Sequence, residues 1–260
     1  MSEVLLEEDT GGVRMLTLNR PEVRNALNAG LVRALHAALL RADADEEVRV
    51  LVLTGADPAF CAGVDLKEAA RDGGAYFRRL DTADAISQVG RVAKPVVGAI
   101  NGPVFTGGLE LALGCDFLIA SDRAVFADTH ARIGLLPRGG MTARLPLAVG
   151  GAWARRMSLT GQVIDASLAE RIGLVTEVVP HGRLLPHVMD CALAMAEVPP
   201  ATAAALKQAY DRGAGTTLRP ALAYEREVAA QQDPDFAGLE RRRIEVMARN
   251  RAQMKGQDRA

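Results

Sequence analysis

The segment Val48–Thr54 reads VRVLVLT, an almost unbroken apolar run. A strand with one wet face alternates apolar and polar residues, whereas a strand apolar at nearly every position needs cover on both faces. Three further runs belong to the same class: Val96–Ile100 (VVGAI), Asp116–Ala120 (DFLIA) and Leu174–Val179 (LVTEVV). Loops and helical patterning separate them. Strand, loop and helix recur in units that share pattern but little sequence, which is the mark of a repeating α/β scaffold.

The flanking segments fit this frame. Val4–Glu7 and Val13–Asn19 are β-type runs on either side of Thr10-Gly11-Gly12, a hairpin signal. Asn28 is placed to cap a helix running through LVRALHAALLRADAD, with Leu31, Leu35, Ala38 and Leu39 on one face. After the VRVLVLT strand come the loop GADPAFCAGVDL and helical patterning to about Val92. Lys94-Pro95 opens the next strand, Asn101-Gly102-Pro103 is a turn, and Gly107-Gly108 precedes a short helix, LELALG. A helical segment, Ser167–Arg171, leads into the strand at Leu174. From about Gly182 the chain reads as helices only, the last one charged (GLERRRIEVMARNRAQ). No low-complexity linker interrupts it. The simplest division is a core over residues 1–195 and a C-terminal helical region over 196–260.

Composition excludes several classes. At 260 residues, 49% hydrophobic and 24% charged, the chain can bury a core without staples. A net charge of −1 offers no basic field for nucleic acid or an anionic membrane. Cys61, Cys115 and Cys191 are widely spaced and form no C-x-x-C pair, as expected of reduced thiols in a cytoplasmic protein. His36, His130, His181 and His187 form no metal-binding pattern. The opening MSEVLLEEDTGG lacks the basic and apolar regions of a secretory signal, and no run of about 18 apolar residues suggests a membrane span.

Two loops carry the chemical interest. Residues 59–68 (AFCAGVDLKE) leave the end of a buried strand and enter a helix; residues 101–112 (NGPVFTGGLELA) do the same. Strand ends are where α/β proteins build sites. Glycine lets a ligand approach the backbone, and a helix N-terminus offers unpaired N–H groups and a positive dipole end. Both features suit an oxygen that gains negative charge. Glu110 is a lone acid in the apolar run GGLELALG. It either complements the helix dipole or serves as an acid–base group beside this loop, where desolvation by Leu109, Leu111 and Ala112 raises a carboxyl pKa. Ser121 and Ser158 lack the G-x-S-x-G context of a serine hydrolase. Gly107-Gly108 forms neither G-x-G-x-x-G nor a Walker A loop, which argues against NAD and nucleotide-hydrolysing enzymes.

The segments NRPEVRNALN (19–28), AFCAGVDLKE (59–68), KPVVGAINGPVFTGGLELALGCDFLIAS (94–121), FADTHARIGLLPRGG (126–140) and LTGQVIDASLAERIGLVTEVVP (159–180) resemble the successive blocks of the enoyl-CoA hydratase/isomerase (crotonase-like) family. They occur in the family's order and span roughly residues 4 to 180; the C-terminal helices match more loosely. The resemblance implies an α/β fold, a crotonase-like spiral of repeated ββα units with a C-terminal helical trimerisation region, assembled as a homotrimer or a dimer of trimers. It implies an acyl-CoA thioester substrate and no cofactor beyond the coenzyme A carried by that substrate. The family's two backbone oxyanion donors fall at Val64 and Gly107. Its CoA contacts fall at Val23, Arg24, Ala62, Asp65 and Leu66; Arg24 is either a donor to a CoA phosphate or a plain surface arginine.

Glu110 aligns with the family's first catalytic glutamate. The second glutamate of hydratases falls at His130, in FADTHARIG, and this is a departure. Histidine can donate or accept a proton near neutral pH, so a Glu110/His130 pair is chemically able. The other reading of His130 is a polar helix-end residue bonded to Asp128. Asp128 in turn either orients His130, replaces it, or caps the short turn that follows. Deprotonating Cα, or adding a nucleophile at Cβ of an enoyl thioester, puts negative charge on the carbonyl oxygen. Two preorganised N–H donors stabilise that charge more than the ground state. The resemblance thus points first to an enoyl-CoA hydratase, a lyase. The alternatives are an enoyl-CoA isomerase or other enolate-forming lyase, and a non-catalytic acyl-CoA-binding member. The acyl pocket is expected from residues around 69–92 and from the C-terminal helices.

Overall fold

The computed structural model describes residues 3–231 and 238–257. The chain opens with an antiparallel hairpin of β1 (Leu5–Thr10) and β2 (Val13–Leu18), turned at Gly11 and Gly12, both at positive φ. Helix α1 (Ala29–Ala44) follows, and Asn28 caps it: its Oδ1 accepts from the Leu31 amide at 2.8 Å. Leu31, Leu35, Ala38 and Leu39 are all buried. Next come β3 (Val50–Gly55) and α2 (Leu66–Asp72), α3 (Gly74–Ala83) and α4 (Ala85–Val89). The chain continues through β4 (Val96–Ile100), β5 (Val104–Phe105), α5 (Gly107–Ala112), β6 (Phe117–Ser121), β7 (Val125–Ala127) and α6 (Met141–Thr160). It ends with β8 (Ile164–Asp165), α7 (Ala166–Arg171), β9 (Glu177–Val179), α8 (Leu184–Ala196), α9 (Pro200–Gln231) and α10 (Leu239–Gln257).

The strands sort into two sheets. The larger runs β1-β2-β3-β4-β6-β9 and is parallel from β2 onward; the smaller runs β5-β7-β8. A bridge from Cys61 to Val104 adds the loop after β3 to the small sheet's edge. Each repeat therefore contributes its first strand to the large sheet and its second to the small one, and then closes with a helix. β3, Cys61 and α2 make one turn of the spiral; β4, β5 and α5 the next; β6, β7 and α6 the third.

The apolar runs are explained by cover on both faces. Leu51 and Leu53 belong to the main core with α1 and α5, while Val50 and Val52 face Leu184, Val188 and Ala192 of α8. Burying each such side chain contributes roughly 1.5–3 kcal/mol. α9 packs against α6, and α10 against α2 and the 3-10 turn Ala131–Ile133.

Some elements depart from expectation. β5, β7 and β8 are two or three residues long, too short for an alternation to register. α6 carries Pro146 and a non-helical Gly150 (φ 75°, ψ 156°), so its apolar period is broken midway. The run at Leu174 joins β6 only from Thr176, whose amide donates to Leu118 O at 2.8 Å, because Leu174 and Val175 are bonded back to Ala169. Of the helical region expected over 196–260, residues 232–237 and 258–260 lie outside the described residues.

Candidate active site

The loops after β3 and β4 lie against each other. The Cys61 amide donates to Pro103 O (3.2 Å) and the Phe105 amide to Cys61 O (3.0 Å). A Cβ on Gly63 would fall 1.8 Å from Thr106 Oγ1, and one on Gly108 2.3 Å from Cys61 O. Gly63 also sits at φ +89°, so both its conformation and its clearance require glycine. Asn25, fully buried, pins the chain before α1 to the same loop: its Nδ2 donates to Ala56 O (2.8 Å) and Ala59 O (2.7 Å).

Val64 and Gly107 are brought together. The Val64 Cγ1 is 3.6 Å from where a Cβ on Gly107 would lie. Leu27 pairs with this strand through Gly63 O (2.8 Å) and the Asp65 amide (3.1 Å), which leaves the Val64 amide on the opposite edge. Gly107 is the first residue of α5, so its amide has no partner within the helix. Among the described residues neither amide is bonded to an acceptor. Thr106, just before α5, holds φ 48° and ψ −117°, a conformation that costs a non-glycine residue on the order of 1–3 kcal/mol and persists where its surroundings over-determine it.

Glu110 stands one turn into α5 and is 3% exposed. Its Oε1 accepts from the Gly139 amide (2.7 Å) and the Met141 amide (3.3 Å). Its Oε2 lies 3.8 Å from Nε2 of His130, which is itself 5% exposed. The His130 Nδ1 is 2.7 Å from Asp128 Oδ1, and the same oxygen accepts from the His130 amide at 3.2 Å. The Asp128 Oδ2 accepts from Ser158 Oγ at 2.5 Å. The two readings of His130 are thus not exclusive: it is bonded to Asp128 and it faces Glu110. Asp128 Oδ1 bonds both the ring and the amide of His130, so it braces the start of the short turn as well as the imidazole, while Oδ2 is taken by Ser158. Burial opposes ionisation of Asp128, but the bonds from His130 and Ser158 outweigh it and hold the carboxyl below its ordinary value.

Two cavities meet at this point. A small one, about 60 Å³, is lined by Glu110, His130 and Val64 together with Phe77, Leu80, Ile86 and Leu135. A larger one, about 330 Å³, is lined by Val23, Arg24, Ala62, Val64, Asp65 and Leu66, and by Arg243, Val246, Met247 and Arg251 of α10. Val64 is common to both. Phe77, Leu80, Ile86 and Ser87 line the small cavity, α10 lines the larger one, and described residues of α9 line neither.

The larger cavity carries the cations Arg24, Lys67, Arg243 and Arg251 against Glu22 and Asp65, with Arg243 also bonded to Glu240 through Nε at 2.8 Å. Asp65 lends it little negative charge, since its Oδ2 is 3.1 Å from both guanidinium nitrogens of Arg20 and its Oδ1 caps α2 at the Glu68 amide. Sequence reasoning missed Lys67, Arg243 and Arg251; the arginine-rich run of α10 was the available signal. It also missed Tyr76, whose buried hydroxyl donates to Leu27 O (2.5 Å) and accepts from the Asp65 amide (3.0 Å). A lone tyrosine in a helical stretch carries no such signal. Burial pushes the Cys61 and Cys115 thiols up to about 12, out of the nucleophilic range. Among the described residues no group of three or more His, Cys, Asp or Glu side chains is arranged to hold a metal ion, and no helix is long and apolar enough to cross a membrane.

A mixed α/β spiral with two glycine-bearing turns packed beside a buried carboxylate defines the crotonase-like class, and comparison with known proteins agrees. The model of the enoyl-CoA hydratase/isomerase family matches residues 8–235. A Rhizobium meliloti protein named a probable enoyl-CoA hydratase is 41% identical over 87% of this chain and 88% of its own length. The crystal structure of an enoyl-CoA hydratase from Mycobacterium smegmatis shares 47% identity and a TM-score of 0.79, covering 88% of this chain and 98% of that one. That of an enoyl-CoA hydratase/isomerase from Xanthobacter autotrophicus shares 29% identity and a TM-score of 0.85, covering 98% and 96%. The chain belongs to the enoyl-CoA hydratase/isomerase family.

Proposed function

We propose that the chain is an enoyl-CoA hydratase, adding water across the double bond of a 2-enoyl thioester. The observation that carries this reading is the buried Glu110–His130 pair, 3.8 Å apart, beside two unbonded amides at the junction of two cavities. The coenzyme A portion occupies the larger cavity, where Arg24, Lys67, Arg243 and Arg251 meet its phosphates and Val23, Ala62, Asp65 and Leu66 form the wall. The acyl chain enters the smaller cavity.

The water oxygen attacks Cβ while the Glu110 carboxylate takes one of its protons. The π electrons move toward the thioester and the carbonyl oxygen becomes negative. The Val64 and Gly107 amides bond that oxygen; losing one such donor typically costs ~3 kcal/mol. The His130 imidazolium then delivers a proton to Cα from Nε2. Glu110 returns its proton to His130 through solvent, so the enzyme is restored and one water has been added. Glu110 is the principal acid–base group and His130 assists. No cofactor is required beyond the coenzyme A of the substrate. The protein works in the cytoplasm as a homotrimer or a dimer of trimers.

Loss of the conjugated thioester absorbance of a 2-enoyl-CoA tests hydration directly. Glu110→Gln is expected to lower kcat by about 10²–10⁴-fold. Unchanged turnover in that variant would remove Glu110 from the mechanism. His130, standing where the resemblance expects a second carboxylate, favours one alternative, isomerisation through the single Glu110 shuttle. Conversion of a 3-enoyl-CoA to its conjugated isomer, without hydration, would establish that reading. Binding without either reaction would establish a non-catalytic member.

A further inference from the structure

We infer that Asp128 is a positioning residue for His130, and that α6 holds the two halves of the acid–base pair from its two ends. The inference rests on the hydratase reading for its kinetic consequences, but not for its geometry.

An imidazole has two nitrogens, and the one that faces the substrate must be specified. Here Nδ1 is 2.7 Å from Asp128 Oδ1, so Nδ1–H donates to the carboxylate. Nε2 is left facing Glu110 and the small cavity in both protonation states. As an imidazolium it presents N–H to Cα; as a neutral ring it presents the lone pair that takes the proton back. Without the anion at Asp128 the neutral ring would divide its proton between the two nitrogens, and the imidazolium would lose its adjacent counter-charge.

Asp128 is itself fixed. It is 1% exposed, and its second oxygen is taken by Ser158 Oγ, near the C-terminal end of α6. At the other end of α6 the Gly139 and Met141 amides hold Glu110 Oε1. The helix consists of two halves joined at Gly150, and each half delivers one of these anchors. Among the described residues the charged groups around His130 are Asp128 on its own loop, Glu110 from α5, and, across the small cavity, Asp81 and Asp84 and the Arg138 that pairs with Asp81. Arg144 of α6 acts on Glu110, Arg132 of the same turn is bonded to Thr160 O, and α10 brings Arg243 and Arg251 to the wall that Thr129 shares.

Asp128→Asn, with the protein otherwise intact, is the test. kcat is expected to fall about 10–100-fold, the usual cost of losing a partner that orients an imidazole, with KM within about twofold. The alkaline limb of the kcat–pH profile moves to lower pH, because the anion that favours protonated His130 is gone. ¹⁵N NMR of the substrate-free protein shows the His130 proton moving from Nδ1 toward a mixture. Ser158→Ala shifts the same observables in the same direction by less, and serves if Asp128→Asn folds poorly. In a His130→Glu background, Asp128→Asn is expected to be neutral or to restore activity, because one of two adjacent carboxylates loses its charge and their repulsion ends. Equal losses in the two backgrounds would make Asp128 a purely structural residue. An unchanged His130 tautomer in Asp128→Asn and Ser158→Ala overturns the inference whatever the turnover. A shifted tautomer in a protein that hydrates nothing supports the positioning and defeats the hydratase reading instead.

Discussion

At the scale of the residue, what could be read from the chain depended on contrast. Glu110 stood out because it is the only acid in an apolar run, and the family resemblance put His130 opposite it. Asn25 and Tyr76, which fasten the same loops, offered no contrast, since their value lies in bonds to backbone carbonyls far along the chain. Gly63 lies between these cases: a glycine is visible, but its reason is a neighbour 43 positions away, Thr106. Gly63→Ala forces a Cβ to within 1.8 Å of Thr106 Oγ1 and strains a φ of +89°. The two turns must move apart, and the cost of one displaced donor is about 10²–10³ in kcat. The expected result is that loss with the fold retained by circular dichroism; full activity would mean the two amides do not act together. Asp128 supports a prediction on stability. Its carboxyl ionises below the ordinary range in the folded chain, so its contribution is fully present above the unfolded pKa of about 3.9 and is lost as pH falls through the lower, folded value. Urea midpoints of the wild type should therefore fall more between pH 5 and acid than those of Asp128→Asn.

At the scale of the element, long and strongly apolar segments were legible and short ones were not. β3 and β4 declare themselves because both of their faces are buried. β5, β7 and β8 exist only because the spiral brings two or three residues beside one another, which no local pattern encodes. α10 was legible as a charged helix, and the C-terminal helices were expected to wall an acyl pocket; that α10 walls the cavity beside Arg24 and Lys67 was not legible. A run such as RRRIEVMARNR is polar nearly all round, and which face it presents is decided by packing against α2 and the turn at Ala131–Ile133. The proposed function gives α10 a part in binding the coenzyme A portion. Replacing both Arg243 and Arg251 by Ala should raise KM for an acyl-CoA about 10–100-fold, as expected for the loss of two solvent-accessible bonds each worth roughly 0.5–1.5 kcal/mol. kcat should change little, since binding far from the reacting carbons is shared by ground and transition states. The effect should shrink at high salt. A fall in kcat at constant KM would place α10 in the chemistry instead.

At the scale of the whole molecule, the repeating scaffold was legible because each unit needs its neighbours to bury its strand, and a recurring pattern exposes that need. Assembly is a different matter, because the surface that joins copies carries no period of its own. α9 presents Leu206 and Tyr210, four residues apart, at 56% and 73% exposure. Scattered apolar residues are ordinary on a protein surface. A pair at helical spacing on a helix whose main contact is α6 is what an intersubunit face would show. The proposed trimer predicts a solution mass near three times the 27.6 kDa chain, or twice that again for a dimer of trimers, by light scattering on a sizing column. Leu206→Glu combined with Tyr210→Glu should move the mass toward that of a single chain and weaken the dependence of the melting temperature on protein concentration that an assembled wild type shows. If the wild type already runs as a single chain at micromolar concentration, α9 is not an assembly helix and these side chains are ordinary surface.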